Sequence, residues 1–149
     1  MEMQFEKLSP LARLPIRQYP SDAGLDICAC ITGENNRPLT WSIPPRSART
    51  IPTGLRICPP DGHAVFVLSR SGLAVAGVFV ANAPGLIDPG YRGELKVILY
   101  NGSAETFYVK SGDRIAQLVP MPVVYCDVVE AKIEKPSDRG VAGFGSTGV

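Results

Sequence analysis

The sequence predicts an all-β fold, and three observations support that prediction. First, 14 prolines and 15 glycines are spread over 149 residues, so few stretches are long enough for helices. Second, the intervening runs are short and rich in Val, Ile, Leu, Phe and Tyr, as strands usually are. Third, turn-forming residues separate these runs. Such a pattern is typical of a β-sandwich, a jelly roll or a small barrel formed by one compact domain.

The predicted elements follow one another closely along the chain. The run Glu94–Tyr100 starts with clean alternation of polar and apolar residues, which is expected for a strand with one buried face. Asn101-Gly102 follows it, and this dipeptide favours a hairpin turn. Ser71–Ala76 has room for one helical turn. The other predicted strands are Leu25–Cys30, Gly54–Cys58, His63–Leu68, Thr106–Val109, Arg114–Val119 and Val123–Val129.

The composition restricts the class of function. The formal net charge is only +1, so no strong electrostatic field attracts a nucleic acid or an anionic membrane. A protein of this charge that binds phosphate does so at a local site, which indicates a small ligand. No run approaches the roughly 18 apolar residues of a membrane span, and the first ten residues lack a secretory signal pattern. We therefore expect a cytoplasmic protein, or a nuclear one in a eukaryote.

The cysteines and the histidine do not form a metal-binding pattern. The chain has four cysteines, Cys28, Cys30, Cys58 and Cys126, and a single histidine, His63. Neither a CxxC pair nor a Cys/His cluster is present, so a structural zinc site is not expected. Since each cysteine stands among apolar neighbours, we expect all four to be small buried side chains.

The last 14 residues, 136–149, differ from the rest because glycine is too frequent there for a core strand. We expect a flexible arm at this end, following a β-domain of residues 1–135. Gly143–Gly148 matches the dinucleotide-binding pattern G-x-G-x-x-G, but that pattern opens a helix and only one residue follows it here. The string therefore does not indicate a dinucleotide-binding domain, and a disordered tail is the simplest alternative.

The arm nevertheless has the chemistry to bind a nucleotide. Its glycines let backbone N–H groups approach phosphate oxygens closely. Arg139 has a guanidinium group suited to a terminal phosphate. Ser146 and Thr147 add hydroxyl donors, and Phe144 is large enough to stack on a base.

A second candidate segment is Asn82–Gly93. Asp88 stands between apolar residues and a Pro-Gly turn, where a rigid carboxylate could orient and deprotonate a water molecule. Tyr91 has the right size to pack against a sugar. In the absence of any ligand, an Asx-turn at Asp88 and core packing of Tyr91 would explain the same residues.

Three further segments carry polar groups beside turns. Arg70 and Ser71 precede the short helix, whose free N–H groups would face an anion. Gln117 places an amide in an apolar strand, and a buried polar group usually has a partner. Asp26 is a carboxylate at the entrance of a strand. A surface salt bridge or a helix cap would explain any one of these segments alone.

Five segments together resemble the five motifs of the homotrimeric dUTP diphosphatase (dUTPase) family in order and spacing. They cover the chain from about residue 20 onwards, which is nearly the whole domain. The third and fourth are fairly specific, and all five together are very hard to obtain by chance. The strings are AGLDICA (23–29), RSGLA (70–74), GLIDPGYRGE (85–94), GDRIAQL (112–118) and RGVAGFGSTG (139–148).

The resemblance implies a distorted jelly-roll protomer of the β-clip type, assembled as a homotrimer whose three active sites are shared between subunits. It implies an enzyme that hydrolyses dUTP to dUMP and pyrophosphate, which lowers dUTP and supplies dUMP for dTMP synthesis. The implied substrate is dUTP and the implied cofactor is Mg²⁺. Asp26 would act on this ion through water, since Mg²⁺ usually keeps part of its hydration shell.

The resemblance also implies roles for single residues. Asp88 would be the general base that activates water for attack on the α-phosphorus. Asn82 and the backbone of Gly85–Ile87 would bind uracil on a β-hairpin. Tyr91 would pack under deoxyribose and leave no room for a 2′-hydroxyl.

Other substrate-binding residues would come from the remaining subunits. A neighbouring subunit would hold the phosphates, and the arm of a third would close over the site. The arm would place Phe144 on uracil and Arg139, Ser146 and Thr147 near the γ-phosphate. The phosphate-binding set is Arg70, Ser71, Gly72 and Gln117, and the arm set is Arg139, Phe144, Gly145, Ser146 and Thr147.

Two positions depart from the family pattern. The family usually has Pro before the arginine of the second motif, where this chain has Ser69, and we expect a less rigid turn there. In the fifth motif the chain has Ala142 in place of the usual Gly. If that position requires a positive φ, alanine costs roughly 1 kcal/mol and weakens closure of the arm.

Three other functions compete with this interpretation. A dCTP deaminase would share the fold and the phosphate binding, but it needs groups that move protons around C4 of cytosine, and Asp88–Tyr91 matches the diphosphatase pattern instead. A nucleotide-sensing protein could keep the fold for regulation, but the presence of Asp88, Arg70 and the whole arm disfavours a loss of catalysis, and regulation could coexist with it. A structural jelly roll that binds no nucleotide would leave the five segments unexplained.

Overall fold

The computed structural model describes residues 1–134, 136–137 and 140–141. This part of the chain forms ten strands, one short α-helix and one 3₁₀ turn. The helix is α1 (Ser71–Val75), and the 3₁₀ turn spans Glu34–Asn36. The strands are β1 (Gln4–Lys7), β2 (Leu25–Cys28), β3 (Thr40–Ile43), β4 (Ser47–Cys58), β5 (His63–Leu68), β6 (Val78–Val80), β7 (Gly85–Ile87), β8 (Glu94–Asn101), β9 (Phe107–Lys110) and β10 (Arg114–Pro122).

These bounds confirm the predicted all-β class. β5 matches its predicted range residue for residue, and α1 is the single helical turn expected after it. Within the described residues, no helix combines the length and the apolar character needed to cross a bilayer. β1, β3, β6 and β7 were not predicted, because each has only three or four residues, which is too short to show a periodic pattern.

The strands form three sheets. The strand order is β1-β4-β8-β6 in the first sheet and β2-β10-β5-β7 in the second, and the third is the pair β3-β9. All neighbouring strands are antiparallel. No two consecutive strands belong to the same sheet, so the chain changes sheet at every connection from β1 to β10.

All three sheets contribute to one apolar core. β8 shows how alternation builds it, since Leu95, Val97 and Leu99 are at most 2% exposed while Lys96 between them is exposed. Successive side chains of a strand point to opposite faces, so one face of β8 enters the core. Each such fully buried side chain contributes roughly 1.5–3 kcal/mol to the free energy of unfolding.

The predicted strand Val123–Val129 is wrong. The described chain forms no strand after β10, and its apolar side chains there are exposed, Val124 by 90% and Val128 by 96%. A strand needs a hydrogen-bonded neighbour along its length. Within the described residues, the segment has such a bond at its first residue alone, where the Val123 N–H donates to the Gly62 carbonyl at 2.8 Å. The β-branched composition of the segment therefore does not by itself produce a strand.

The predicted hairpin turn at Asn101-Gly102 is also wrong. β8 pairs with β4 and β6, whereas the next strand, β9, pairs with β3. Asn101 is fully buried, and its amide nitrogen donates to the carbonyls of Ile43 and Glu105 at 2.9 and 2.8 Å. Its side chain thus satisfies backbone groups where the chain changes sheet, as buried polar side chains usually do.

The expectation that all four cysteines are buried is only partly correct. Cys30 is buried, Cys28 and Cys58 are half-buried, and Cys126 is exposed; all four are free thiols. Cys126 lies in the segment after β10 that packs against little of its own protomer. Its apolar neighbours in the sequence are exposed as well, so their composition did not predict burial.

Candidate active site

A first cavity, termed here the Asp88 pocket, has a volume of about 330 Å³. β7 forms one wall, because its pairing with β5 sets Gly85 opposite Val67. Gly85 and Ile87 are buried and Leu86 between them is exposed, which is the alternation of a strand with one face in the core. All the residues expected at the base, the sugar and the attacking water line this one pocket: Asn82, Gly85, Ile87, Asp88 and Tyr91.

Asp88 lies on the lining of this pocket and is exposed to solvent. The turn after it is closed by a backbone hydrogen bond, in which the Tyr91 N–H donates to the Asp88 carbonyl at 3.0 Å. The turn therefore uses the main chain and leaves the carboxylate available for chemistry. In the alternative, an Asx-turn, the carboxylate would accept from the N–H two residues on, at Gly90, and the described residues form no such bond.

Tyr91 is held in a fixed orientation without entering the core. Its ring is 43% exposed, so core packing does not explain it. The hydroxyl donates to the Glu94 carbonyl at 2.9 Å. The ring lies directly over Gly93, where the added Cβ of any other residue would overlap the ring atoms. Gly93 is therefore the residue that lets the ring pack flat on the backbone.

The β-hairpin expected for the segment 85–94 is not formed. β7 pairs with β5 in the second sheet, whereas β8 pairs with β4 and β6 in the first. The Asp88–Tyr91 turn consequently bridges two sheets, and both of them contribute to the Asp88 pocket.

A second cavity, termed here the Arg70 pocket, has a volume of about 470 Å³. It lies where β2 and β10 meet the segment between β5 and α1. α1 starts at Ser71. As in any helix, its first N–H groups have no carbonyl acceptor within the helix. All the residues expected to hold the phosphates and the metal line this pocket: Asp26, Arg70, Ser71, Gly72 and Gln117.

Asp26 is the electrostatic centre of the Arg70 pocket. One oxygen accepts from Arg70 Nε at 2.9 Å, and the other accepts from Arg114 Nη1 at 2.9 Å. The Asp26 side chain is only 12% exposed. Such charge-assisted bonds are about twice as strong as neutral ones. Two guanidinium groups thus converge on one carboxylate, and Arg70 is fixed at the pocket wall.

Arg114 was not among the predicted site residues. Strict alternation along β10 would place Arg114 on the face opposite to Gln117, among buried residues. A bulge between Arg114 and Ala116 shifts the register against β2, and a bulge can redirect a side chain in this way. Arg114 therefore reaches Asp26. Its position in the GDRIAQL string was the only available signal.

Gln117 has the partner that its burial predicted. Its Nε2 donates to the Ser69 carbonyl at 3.0 Å. The other end of the amide lies over Gly24, where an added Cβ would come within 2.5 Å of Gln117 Oε1. Both ends of the amide are thus constrained beside the pocket, and Gly24 belongs to the site although it was not predicted.

Cys28 stands opposite Arg114 in the pairing of β2 with β10. Burial raises the pKa of the Cys28 thiol above its ordinary value, although the nearby arginines oppose this shift. The thiol therefore remains protonated and neutral at pH 7, and it does not compete with Asp26 for the arginines.

The two pockets are separate within one protomer and share no lining residue. The register of the second sheet gives the distance between the pockets. On β2, β10 and β5 the paired residues are Asp26, Gln117 and Leu68. On the fourth strand, β7, Ile87 pairs with Val65 of β5. Ordinary sheet dimensions therefore separate Asp26 from Ile87 by about 14 Å across the sheet and about 10 Å along it.

The predicted residues of the arm cannot be placed in either pocket. Arg139, Phe144, Gly145, Ser146 and Thr147 lie outside the described residues, as does the departure from the family pattern at Ala142. Their expected roles remain predictions.

Comparisons with known proteins agree with this arrangement. A dUTPase family model matches residues 11–148. The deoxyuridine 5'-triphosphate nucleotidohydrolase of Leifsonia xyli subsp. xyli is 44% identical over 138 residues, covering 91% of this chain and 86% of that protein. The protein of the same name from Gloeobacter violaceus is 40% identical over 149 residues, covering 99% and 97%.

A solved structure extends the similarity to the fold. A mutant dUTPase of Staphylococcus bacteriophage 80alpha, determined with dUpNHpp, aligns with a TM-score of 0.87 at 26% identity, covering 99% of both chains. The match includes the jelly-roll arrangement of the sheets. Together with the family model, which spans most of the sequence, these similarities show that the chain belongs to the dUTPase family.

Proposed function

We propose that this chain is a dUTP diphosphatase, which hydrolyses dUTP to dUMP and pyrophosphate. The observation that carries the proposal is the position of Asp88, an exposed carboxylate on a pocket that also contains Asn82 and the oriented ring of Tyr91. Such a pocket can hold a base and a sugar while one carboxylate faces the reacting phosphate. Membership of the dUTPase family and relatives named for this reaction support the same substrate.

Within the Asp88 pocket, we assign base recognition to Asn82 and to the backbone of Gly85–Ile87. The deoxyribose would pack on Tyr91, whose hydroxyl is bonded to Glu94 and whose ring rests on Gly93. A ring constrained in this way cannot move aside for an additional hydroxyl. A 2′-hydroxyl on the substrate would therefore clash with it, and UTP would be rejected.

Asp88 is the general base of the proposed reaction. Its carboxylate takes a proton from a water molecule as the oxygen of that water forms a bond to the α-phosphorus. The bond between the α-phosphorus and the oxygen bridging to the β-phosphorus breaks, and pyrophosphate leaves with that oxygen. General-base catalysis of this kind contributes typically 10²- to 10⁴-fold to the rate.

The phosphates would be held by Arg70, Ser71, Gly72 and Gln117 of a neighbouring copy. The separation of the two pockets within a protomer supports this, because they share no lining residue. A closed trimer brings the Arg70 pocket of one copy to the Asp88 pocket of the next and repeats this contact three times. Exposed apolar residues after β10 also favour assembly, since monomers rarely expose such stretches: they are Val124, Tyr125, Val128, Val129 and Ile133.

Mg²⁺ is the proposed cofactor, and the donor set fits a hydrated ion held mainly by the substrate. Among the described residues, no three His, Cys, Asp or Glu side chains converge, and both oxygens of Asp26 already bind arginines. Mg²⁺ keeps several waters in such sites, so Asp26 would contact it through one of them. When bound, the ion would neutralise charge on the phosphates.

The arm, residues 136–149, would complete the site from a third copy. We assign stacking on uracil to Phe144, contacts near the γ-phosphate to Arg139, Ser146 and Thr147, and a further substrate contact to Gly145. Closing a glycine-rich segment over bound substrate would exclude all water except the attacking molecule. The residues before it, 1–135, would form the β-domain that carries both pockets.

Pyrophosphate release by the wild-type protein tests the proposal. With Mg²⁺ present, we expect kcat/KM for dUTP to exceed that for UTP, dCTP, dTTP, dATP and dGTP by at least about 100-fold. Ammonia release from dCTP would instead indicate a deaminase. Binding of dUTP without turnover would indicate a nucleotide sensor.

A further inference from the structure

Ser69 connects the two pockets without lining either of them. It follows β5 and directly precedes Arg70. Its hydroxyl oxygen accepts a hydrogen bond from the Val80 N–H at 2.9 Å, and its carbonyl accepts one from Gln117 Nε2 at 3.0 Å. One residue thus contacts β6 through its side chain and β10 through its main chain.

The bond to Val80 satisfies a backbone group at the edge of a sheet. β6 is the outer strand next to β8, and the Ala81 N–H donates to Ile98 on β8 at 2.8 Å. Because successive N–H groups of a strand point in opposite directions, the Val80 N–H points away from β8. Val80 is only 2% exposed, so this N–H depends on the Ser69 hydroxyl for its hydrogen bond.

Each bond of Ser69 leads to one pocket. Val80 itself lines the Asp88 pocket, and Asn82 follows it by two residues. On the other side, Gln117 and the adjacent Arg70 line the Arg70 pocket. The short segment 67–70 therefore connects β6 to the phosphate-binding side chains, so that a shift of β6 would also move those side chains.

We infer that Ser69 is a positioning residue, and that its hydroxyl fixes the positions of the side chains that line both pockets of the protomer. The inference rests on the proposed function, since it concerns how that substrate is held. Without the hydroxyl, the buried Val80 N–H loses its acceptor, so β6 shifts towards another acceptor. Asn82 then moves relative to the base, and the segment that carries Arg70 loses its support.

The test compares Ser69→Ala with Ser69→Thr, which keeps a hydroxyl. We expect Ser69→Ala to raise the KM for dUTP about three- to tenfold while kcat changes less than about twofold. Inhibition by dUMP reports on the Asp88 pocket, and inhibition by tripolyphosphate reports on the Arg70 pocket. Each should weaken by about two- to threefold, because losses in the two pockets multiply for dUTP, which occupies both. Ser69→Thr should restore all three constants.

Ser111→Ala is the matched control. The Ser111 hydroxyl accepts from the Ile31 N–H at 3.1 Å, and Ile31 is fully buried, but Ser111 lines neither pocket. It should lower thermal stability without changing KM or the inhibition constants. If Ser69→Ala does not fold, Ser69→Cys, of similar size and with a weaker acceptor, should show the same pattern.

The inference is overturned if Ser69→Ala leaves the three constants unchanged, if it weakens only one inhibitor, or if Ser111→Ala changes them equally. Failure of the wild type to hydrolyse dUTP would reject the proposed function itself. Hydrolysis by the wild type with unaltered constants in Ser69→Ala would reject only the role of Ser69.

Discussion

The variant Asp88→Asn is expected to lose dUTP hydrolysis by a factor of about 10²–10⁴, the usual contribution of a general base, while still binding dUTP. Asparagine has nearly the same shape as aspartate but cannot accept a proton from water. The Asp88–Tyr91 turn is closed by the main chain, so the fold does not depend on the carboxylate. The measurements are the rate of pyrophosphate release and the equilibrium affinity for dUTP.

Asp61→Asn is the control for this prediction. Asp61 is also an exposed aspartate in a turn, just before β5, and it lines neither pocket, so its replacement should leave kcat unchanged. If Asp88→Asn retained a kcat within tenfold of the wild type, another group would have to activate the water. A parallel loss of dUTP affinity would assign Asp88 to binding instead of proton transfer.

The variant Asp26→Asn is expected to have the second largest effect. The carboxylate is largely buried between Arg70 and Arg114, and a neutral amide leaves two positive groups close together without compensation. We expect the free energy of unfolding to fall by about 1–3 kcal/mol, less than for a fully buried pair because both arginines are partly exposed. Urea denaturation measures this loss.

Asp26→Asn should also change how tripolyphosphate binding responds to Mg²⁺. With EDTA, binding should be at least as strong as in the wild type, because the variant frees the two arginines that Asp26 neutralises. With Mg²⁺, binding should gain less than in the wild type, because the proposed contact of Asp26 with the ion through water is lost. The control is Glu6→Gln, which breaks the exposed pair between Glu6 and Arg56 and should change stability by less than about 1 kcal/mol. Weaker tripolyphosphate binding with EDTA would contradict this expectation and would show that the orientation of Arg70 by Asp26 outweighs the gain in positive charge.

Much of the fold was predictable because several strands have strong local signals. β5 and β8 combine apolar residues with alternation or clear turn boundaries, and their observed bounds are close to the predicted ones. The failures occur where pairing decides the outcome. Val123–Val129 has the composition of a strand but no partner strand within the described protomer, and β9 pairs with β3 instead of with β8.

The candidate site was predictable as sets of residues, since the sequence strings already grouped them. Both pockets contain the expected side chains wherever the structure describes them. The missing members depend on tertiary geometry. Arg114 reaches Asp26 because of a bulge, Gly93 matters because the Tyr91 ring lies on it, and Ser69 matters because an edge strand needs an acceptor.

Subunit complementation tests the central claim, that Asp88 and Arg70 of one active site come from different copies of the chain. Asp88→Asn and Arg70→Ala are each expected to be inactive. They are co-expressed with different affinity tags and purified through both tags, so that only mixed trimers remain.

In any mixed trimer, one of the three sites joins an intact Asp88 pocket to an intact Arg70 pocket. We therefore predict recovery of about one third of the wild-type rate of pyrophosphate release from dUTP. A mixed preparation as inactive as either variant alone would contradict the account, because it would mean that one protomer supplies both Asp88 and Arg70 to the same site.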